Sequence, residues 1–146
     1  MDRREWLLLL IATSQRLDGL DPVRVQKGMF LLAQEAGLPP GERYVFVPYN
    51  YGPMSVDVYR DLDELVIREL IQRRPRSGYR WATVTPTARG TQEACRARDR
   101  AVEESPLAER RLRRIVRLVD VLGFGELLET VYRRYPTFAK RSVFRP

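Results

Sequence analysis

The Gly52-Pro53 step constrains this chain more than any other pair of residues. Gly52 reaches backbone angles closed to other residues, and Pro53 fixes its own φ while keeping Gly52 out of the helical region. Whatever runs into this step must turn. What runs into it is Tyr44 to Tyr49, where Tyr44, Phe46 and Pro48 alternate with Val45, Val47 and Tyr49, a β-branched and aromatic run that favours a strand. What runs out begins with Ser55, whose hydroxyl can cap a helix, and Asp57, which suits the positive helix N-terminus. Val58, Leu62, Leu65, Val66 and Leu70 then recur at three- to four-residue spacing. One face of this helix is therefore apolar, with Asp57, Arg60, Asp61, Glu64 and Arg68 mostly away from it.

Downstream, Ile71 to Arg74, Pro75-Arg76-Ser77-Gly78 and Tyr79 to Val84 read as strand, turn and strand. Thr85 is the expected cap of the next helix and Pro86 its first residue, where a missing N–H costs nothing. That helix is expected to reach Glu104, with Cys95 as a small apolar filler. Ser105-Pro106 opens another over 107–122, and Glu126 to Tyr135 a last amphipathic one. The tail from Thr137, carrying Lys140, Arg141 and Arg145, reads as a short turn or a flexible basic end. Upstream, residues 2–16 predict a helix whose Trp6 to Ala12 stretch is apolar almost all round. Such a helix must be buried on several sides, either within one chain or in an intertwined homodimer. Asp21-Pro22 opens a second helix to Ala36, with Val25, Met29, Leu32 and Ala36 inward and Gln26 and Lys27 read as a solvent-facing pair. The expected fold is mainly α with a small β-hairpin, in one domain.

The formal net charge of +7 is unevenly spread. Residues 1–71 carry 8 basic against 11 acidic side chains, a net of −3, whereas residues 72–146 carry 18 against 8, a net of +10. This asymmetry fits a polyanion or an acidic partner. Arg110, Arg113, Arg114 and Arg117 recur at i, i+3, i+4 and i+7, opposite the apolar Leu112, Ile115 and Val119. Only Glu109 stands four residues before one of them, so like charges on this face repel mildly unless an anion relieves them.

The chain has no histidine and one cysteine, which removes Ser-His and Cys-His catalysis, most zinc sites and any intramolecular disulfide. Neither a Walker A loop nor a GxGxxG motif occurs. Asp57, Asp61 and Glu64 share a helical face and could hold a cation, but their interleaving with Arg60 and Arg68 favours a solvated or partner-facing surface. The expectation is a non-enzyme without cofactor or metal. With no apolar run approaching the ~20 residues of a membrane span and no convincing signal peptide, it is expected in the cytoplasm. Tyr49, Tyr51 and Tyr59 cluster near the Gly-Pro turn. They are read first as rings wedging the turn onto a helix, and otherwise as the wall of a peptide groove or a base-stacking platform.

Several of these segments resemble known families. Leu62, Leu65 and Leu70-Ile71, the Arg-rich hairpin and Thr85-Pro86-Thr87-Ala88-Arg89-Gly90 look like the recognition helix, wing and following helix of MarR-type proteins. More specifically, Gln26-Lys27-Gly28-Met29-Phe30-Leu31-Leu32, Tyr49-Asn50-Tyr51-Gly52-Pro53 and Val58-Tyr59-Arg60-Asp61-Leu62 resemble YwgA-like bacterial proteins and the related Panacea (SocA-like) antitoxin domain. Glu69 departs from the pattern, for winged helices usually place Gly before the Leu-Ile pair. The resemblance implies a winged helix-turn-helix core over 20–90 with helical extensions at 1–19 and 91–146, and homodimers through the terminal helices as in MarR-like proteins. It implies two functions. One is transcription regulation by binding double-stranded DNA, with Arg73, Arg74, Arg76 and Arg80 as wing contacts, to which the charge pattern adds the stripe of Arg110, Arg113, Arg114 and Arg117. The other is an antitoxin-like module whose protein partner, a toxin, contacts Tyr49, Tyr51, Tyr59, Asp57, Asp61 and Glu64. Against DNA stands the net charge of −3 on Ser55 to Leu70, since phosphate repels such a surface.

Overall fold

The computed structural model describes residues 1–144; Arg145 of the basic tail lies outside the described residues. They form six helices and two small antiparallel hairpins, a mainly α protein. Helix α1 (Arg3–Thr13) starts with a reciprocal capping box, Asp2 Oδ1 accepting from Glu5 N and Glu5 Oε1 from Asp2 N, each at 3.0 Å. Its apolar stretch from Trp6 to Ile11 is buried within the single copy, covered by α2 (Pro22–Glu35), α4 (Ala88–Glu104) and α5 (Pro106–Val121). On α4 the inward positions are Gly90, Ala94, Ala97 and Ala101, small enough to admit α1 closely. Cys95 is one position off that stripe, about 100° around the helix, and is exposed rather than a core filler. Helix α6 (Phe124–Arg134) completes a hydrophobic cluster to which all six helices contribute.

Helix α2 opens as its Asp-Pro signal requires, Asp21 Oδ1 accepting from Arg24 N at 2.9 Å. Arg24 is itself buried. Its guanidinium donates to Val119 O at 3.2 Å and Leu122 O at 2.7 Å, satisfying carbonyls that the end of α5 leaves without intrahelical partners.

The segment before α3 (Val56–Ile67) differs from expectation. The strand is shorter than Tyr44 to Tyr49: only β1 (Val47–Tyr49) is extended and paired, with β2 (Gly52–Met54). Tyr44 instead turns inward and donates to Asp61 Oδ2 at 2.7 Å. The Gly-Pro step does not lead straight into the helix. Tyr49 pairs with Gly52 across a turn at Asn50-Tyr51, and Gly52 adopts a φ of +88°, so Pro53 lies inside the returning strand. Ser55 precedes α3 but its hydroxyl makes no cap bond, because the residue is held through its backbone.

The second hairpin pairs β3 (Ile71–Arg74) with β4 (Thr83–Pro86), and Leu20 bridges to Val84 beside it. Pairing of Pro86 with Ile71 carries β4 through the residue expected to open the helix. Thr87, not Thr85, therefore caps α4, its Oγ1 accepting from Gly90 N at 2.9 Å.

The turn from α3 into β3 is made by Glu69 at φ +61°, the one non-glycine with positive φ among the described residues. Leu70 N donates to Leu65 O and Glu69 N to Val66 O, each at 3.0 Å. This is the Schellman pattern, which normally places glycine where Glu69 stands.

Candidate functional site

The expected DNA-contacting arginines divide by location. Arg73 is ion-paired with Asp63 of α3, and Arg74 is exposed. Arg76 and Arg80 sit in the loop joining β3 to β4. Arg76 lies over the Tyr79 ring, 4.0 Å from its centroid, and 3.4 Å from Asp18. On α5, Arg110, Arg113, Arg114 and Arg117 are all exposed, as the spacing predicts. Glu109 is buried and holds Arg113 at 2.9 Å, while Arg110, Arg114 and Arg117 have no ion pair among the described residues.

Two surface depressions bring part of each set together. One, of about 510 Å³, lies between the end of α1 and α5, lined by Arg16, Arg113, Arg117 and Asp120. The other, of about 390 Å³, lies under the β3–β4 loop, lined by Arg16, Asp21, Arg24, Arg76, Arg80 and Trp81. They meet at Arg16. Together they carry six arginines against two aspartates. Both aspartates are committed: Asp120 accepts from Ser14 Oγ at 2.7 Å and Gln15 N at 2.8 Å, and Asp21 caps α2 and pairs with Arg24 at 2.9 Å. Arg24 is buried and spent on Asp21 and the α5 carbonyls, Arg76 pairs with Asp18 and Arg113 with Glu109, which leaves Arg16, Arg80 and Arg117 without an ion pair among the described residues.

The acidic face of α3 is largely used internally. Arg3 of α1 approaches Asp57 at 3.3 Å and Asp61 at 3.7 Å, Arg60 pairs with Asp57 at 3.2 Å, and Asp61 is buried. Asp57 and Asp61 thus tie α3 to α1, and Glu64 stands on that side, partly exposed. Tyr59 points elsewhere, because two residues along a helix is a rotation of about 200°. The six residues of the expected protein-contact surface are accordingly split between two sides of α3.

The tyrosines do converge. Tyr49, Tyr51 and Tyr59 line a cleft of about 410 Å³ with Gln26, Lys27, Arg80 and Trp81. Tyr51 packs edge-on against Trp81 at 6.1 Å and against Phe124 at 5.7 Å between ring centroids, clamping the β3–β4 loop and α6 to the first hairpin. Gln26 and Lys27 are not a solvent-facing pair: they are 1% and 2% exposed. The Gln26 amide donates to Ser55 O and accepts from Ser55 N, both at 2.9 Å. Lys27 Nζ donates to Pro53 O at 3.0 Å. These two side chains moor the β1–β2 hairpin onto α2, a role the stripe reading of α2 missed. A signal was present, since Phe30 and Leu31 stand four residues after Gln26 and Lys27 on the same faces.

Burial without a counter-charge lowers Lys27 from the usual lysine value to about 7, against a weaker opposing pull from Asp21. Burial also raises the Tyr59 hydroxyl, which the neighbouring Gln26 side chain partly offsets. Among the described residues no group of carboxylates, cysteines or histidines could hold a metal ion, and no helix is long and apolar enough to cross a membrane. The chain matches no protein-family model, no curated protein and no solved structure among those it was compared with.

Proposed function

We infer that this chain is a non-enzymatic, DNA-binding regulatory protein of winged helix-turn-helix type. It meets double-stranded DNA with the face where the β3–β4 loop and α5 come together, not with α3. The observation that carries this reading is the convergence of Arg76 and Arg80 with Arg113 and Arg117 at Arg16, a face on which Arg16, Arg80 and Arg117 have no ion pair among the described residues. Guanidiniums so placed neutralise successive phosphates and release their counterions. The order α2, α3, β3–β4 hairpin, α4, with Leu20 bridged to Val84, supports a winged arrangement in which the β1–β2 hairpin is an insertion. Internal pairing of Asp57, Asp61 and Asp63 with Arg3 and Arg73 reduces the repulsion that α3 would otherwise exert. Such a protein would act in the cytoplasm.

A second reading, the antitoxin-like protein-binding module, draws on a different observation. Val45, Val47, Tyr49, Val56 and Tyr59 are exposed around the first hairpin and the start of α3, an apolar grouping suited to a protein partner.

Charge reversal separates the surfaces. Arg76/Arg80→Glu and Arg113/Arg117→Glu should each weaken duplex binding by at least about tenfold near 0.1 M salt, whereas Arg60/Arg68→Glu on α3 should change it less than about twofold. The opposite ranking would place DNA on α3. Absence of duplex binding by the wild-type protein would leave the protein-binding reading standing.

A further inference from the structure

We propose that the depression under the β3–β4 loop receives one unpaired nucleotide, its base against the aromatic side chains there and its phosphate on the neighbouring guanidiniums. The partner of this face is then DNA that carries a single-stranded segment beside its duplex. The proposal deepens the DNA-binding reading and rests on it.

The loop sets rings beside cations. Tyr79 N donates to Arg76 O at 3.1 Å across a turn in which Gly78 takes a φ of +78°, a conformation open to glycine at no steric cost. This turn folds the Arg76 guanidinium over the Tyr79 ring, where cation and π-face attract. Trp81, two residues on, rests edge-on against Tyr51, which also meets Phe124 of α6. Tyr79, Trp81 and Phe124 thereby line one depression together with Arg16, Arg76 and Arg80. Yet Tyr79 stays 63% exposed and Trp81 40%. Such rings are apolar surface that the fold leaves in water, and an unstacked base lying on them removes it.

Charge and size choose the ligand. The one carboxylate of the lining, Asp21, is spent on the α2 cap and on Arg24. Arg16 and Arg80 have no ion pair among the described residues, and Arg16 donates to Asp120 O at 2.9 Å. A guanidinium has five N–H donors, so donors remain for a phosphate. Bases inside a duplex are stacked and paired, with their faces closed to these rings, and the base must therefore be unpaired. The volume of about 390 Å³ lies at the low end of the range for small-molecule sites, roughly 300–1,000 Å³, which suits one nucleotide and not a helix. A strand fits better than a free nucleotide because Arg16 also lines the adjoining depression with Arg113 and Arg117. The cations continue beyond the aromatic walls, where the next phosphates of a strand would run.

Fluorescence anisotropy of the whole protein with three labelled probes tests this: a blunt duplex, the same duplex with a short thymidine overhang, and the same duplex with an overhang of equal length made of abasic residues. The abasic overhang carries the added phosphates without bases, so it separates stacking from charge. The thymidine overhang should bind at least about fivefold more tightly than either other probe. Tyr79→Ala and Trp81→Ala should each cut that ratio at least about threefold, and Trp81→Phe, which keeps a stacking ring, should retain it. Equal affinity for the thymidine and abasic overhangs overturns the proposal and leaves duplex binding standing, whereas no binding of any probe overturns both. Displacement of the overhang probe by an equal concentration of thymidine monophosphate would assign the depression to free nucleotides and also overturn it. The wild-type ratio decides the matter even if the variants fail to fold.

Discussion

Glu69 holds a left-handed backbone conformation at the end of α3, with φ +61°. An L-residue there costs about 1–2 kcal/mol, while a glycine would cost the unfolded chain some added entropy, about 0.5–1 kcal/mol. Glu69→Gly should therefore stabilise the protein by roughly 0.5–1 kcal/mol, read as a higher urea midpoint at unchanged slope. An equal or lower midpoint would mean that the Glu69 side chain contributes something its exposed position does not suggest. Lys27 makes the second prediction at this scale. Its folded value of about 7 lies below its unfolded value of 10.5, so between these limits the unfolded chain binds more protons and stability rises with pH. From pH 7 to 9 the wild-type protein should gain up to about 1.4 kcal/mol per pH unit relative to Lys27→Met. Parallel pH profiles would contradict the burial of an uncompensated ammonium. The departure at Glu69 was legible in the sequence because the neighbouring Leu-Ile pair marks the place where glycine belongs. The burial of Gln26 and Lys27 was signalled by Phe30 and Leu31 on the same faces of α2, but not their partners, because a polar side chain in a helix carries no sign of which backbone will dock on it.

At the scale of elements, the helices were the readable part. Asp21-Pro22 and Ser105-Pro106 mark helix starts through local chemistry, and α2 and α5 begin at those prolines. The β1–β2 hairpin was hidden because strands of three residues are too short to show a period, and Gly52-Pro53 looks the same whether the chain turns once or doubles back. The packing of α4 was also unreadable: Gly90 lies so close to the α3–β3 junction that a Cβ there would stand 1.7 Å from Leu70 O. Gly90→Ala should cost about 3 kcal/mol or more, whereas Gly41→Ala, which meets nothing within 4 Å, should change stability by less than about 1 kcal/mol. Thermal unfolding of the pair tests this, and equal midpoints would refute the close contact.

Across the whole molecule, the sequence left two solutions for the apolar first helix. The fold buries Trp6 to Ile11 inside one copy, which removes the reason that helix gave for an intertwined dimer. The excess charge of residues 72–146 was plain in the sequence, but the face it forms depends on Arg16 and Arg24, which belong to the acidic half and were not singled out. Only the folded chain sets Arg16 between Arg113 and Arg117 on one side and Arg76 and Arg80 on the other. The most direct test of this arrangement is the salt dependence of duplex DNA binding, followed by fluorescence anisotropy for the wild-type protein and for Arg113/Arg117→Glu. With roughly three to five phosphates met by this face, log K should fall against log salt with a slope of about −3 to −4.5, and the variant should lose about two units of that slope. A wild-type protein that fails to bind at low salt, or a variant with an unchanged slope, would contradict the account.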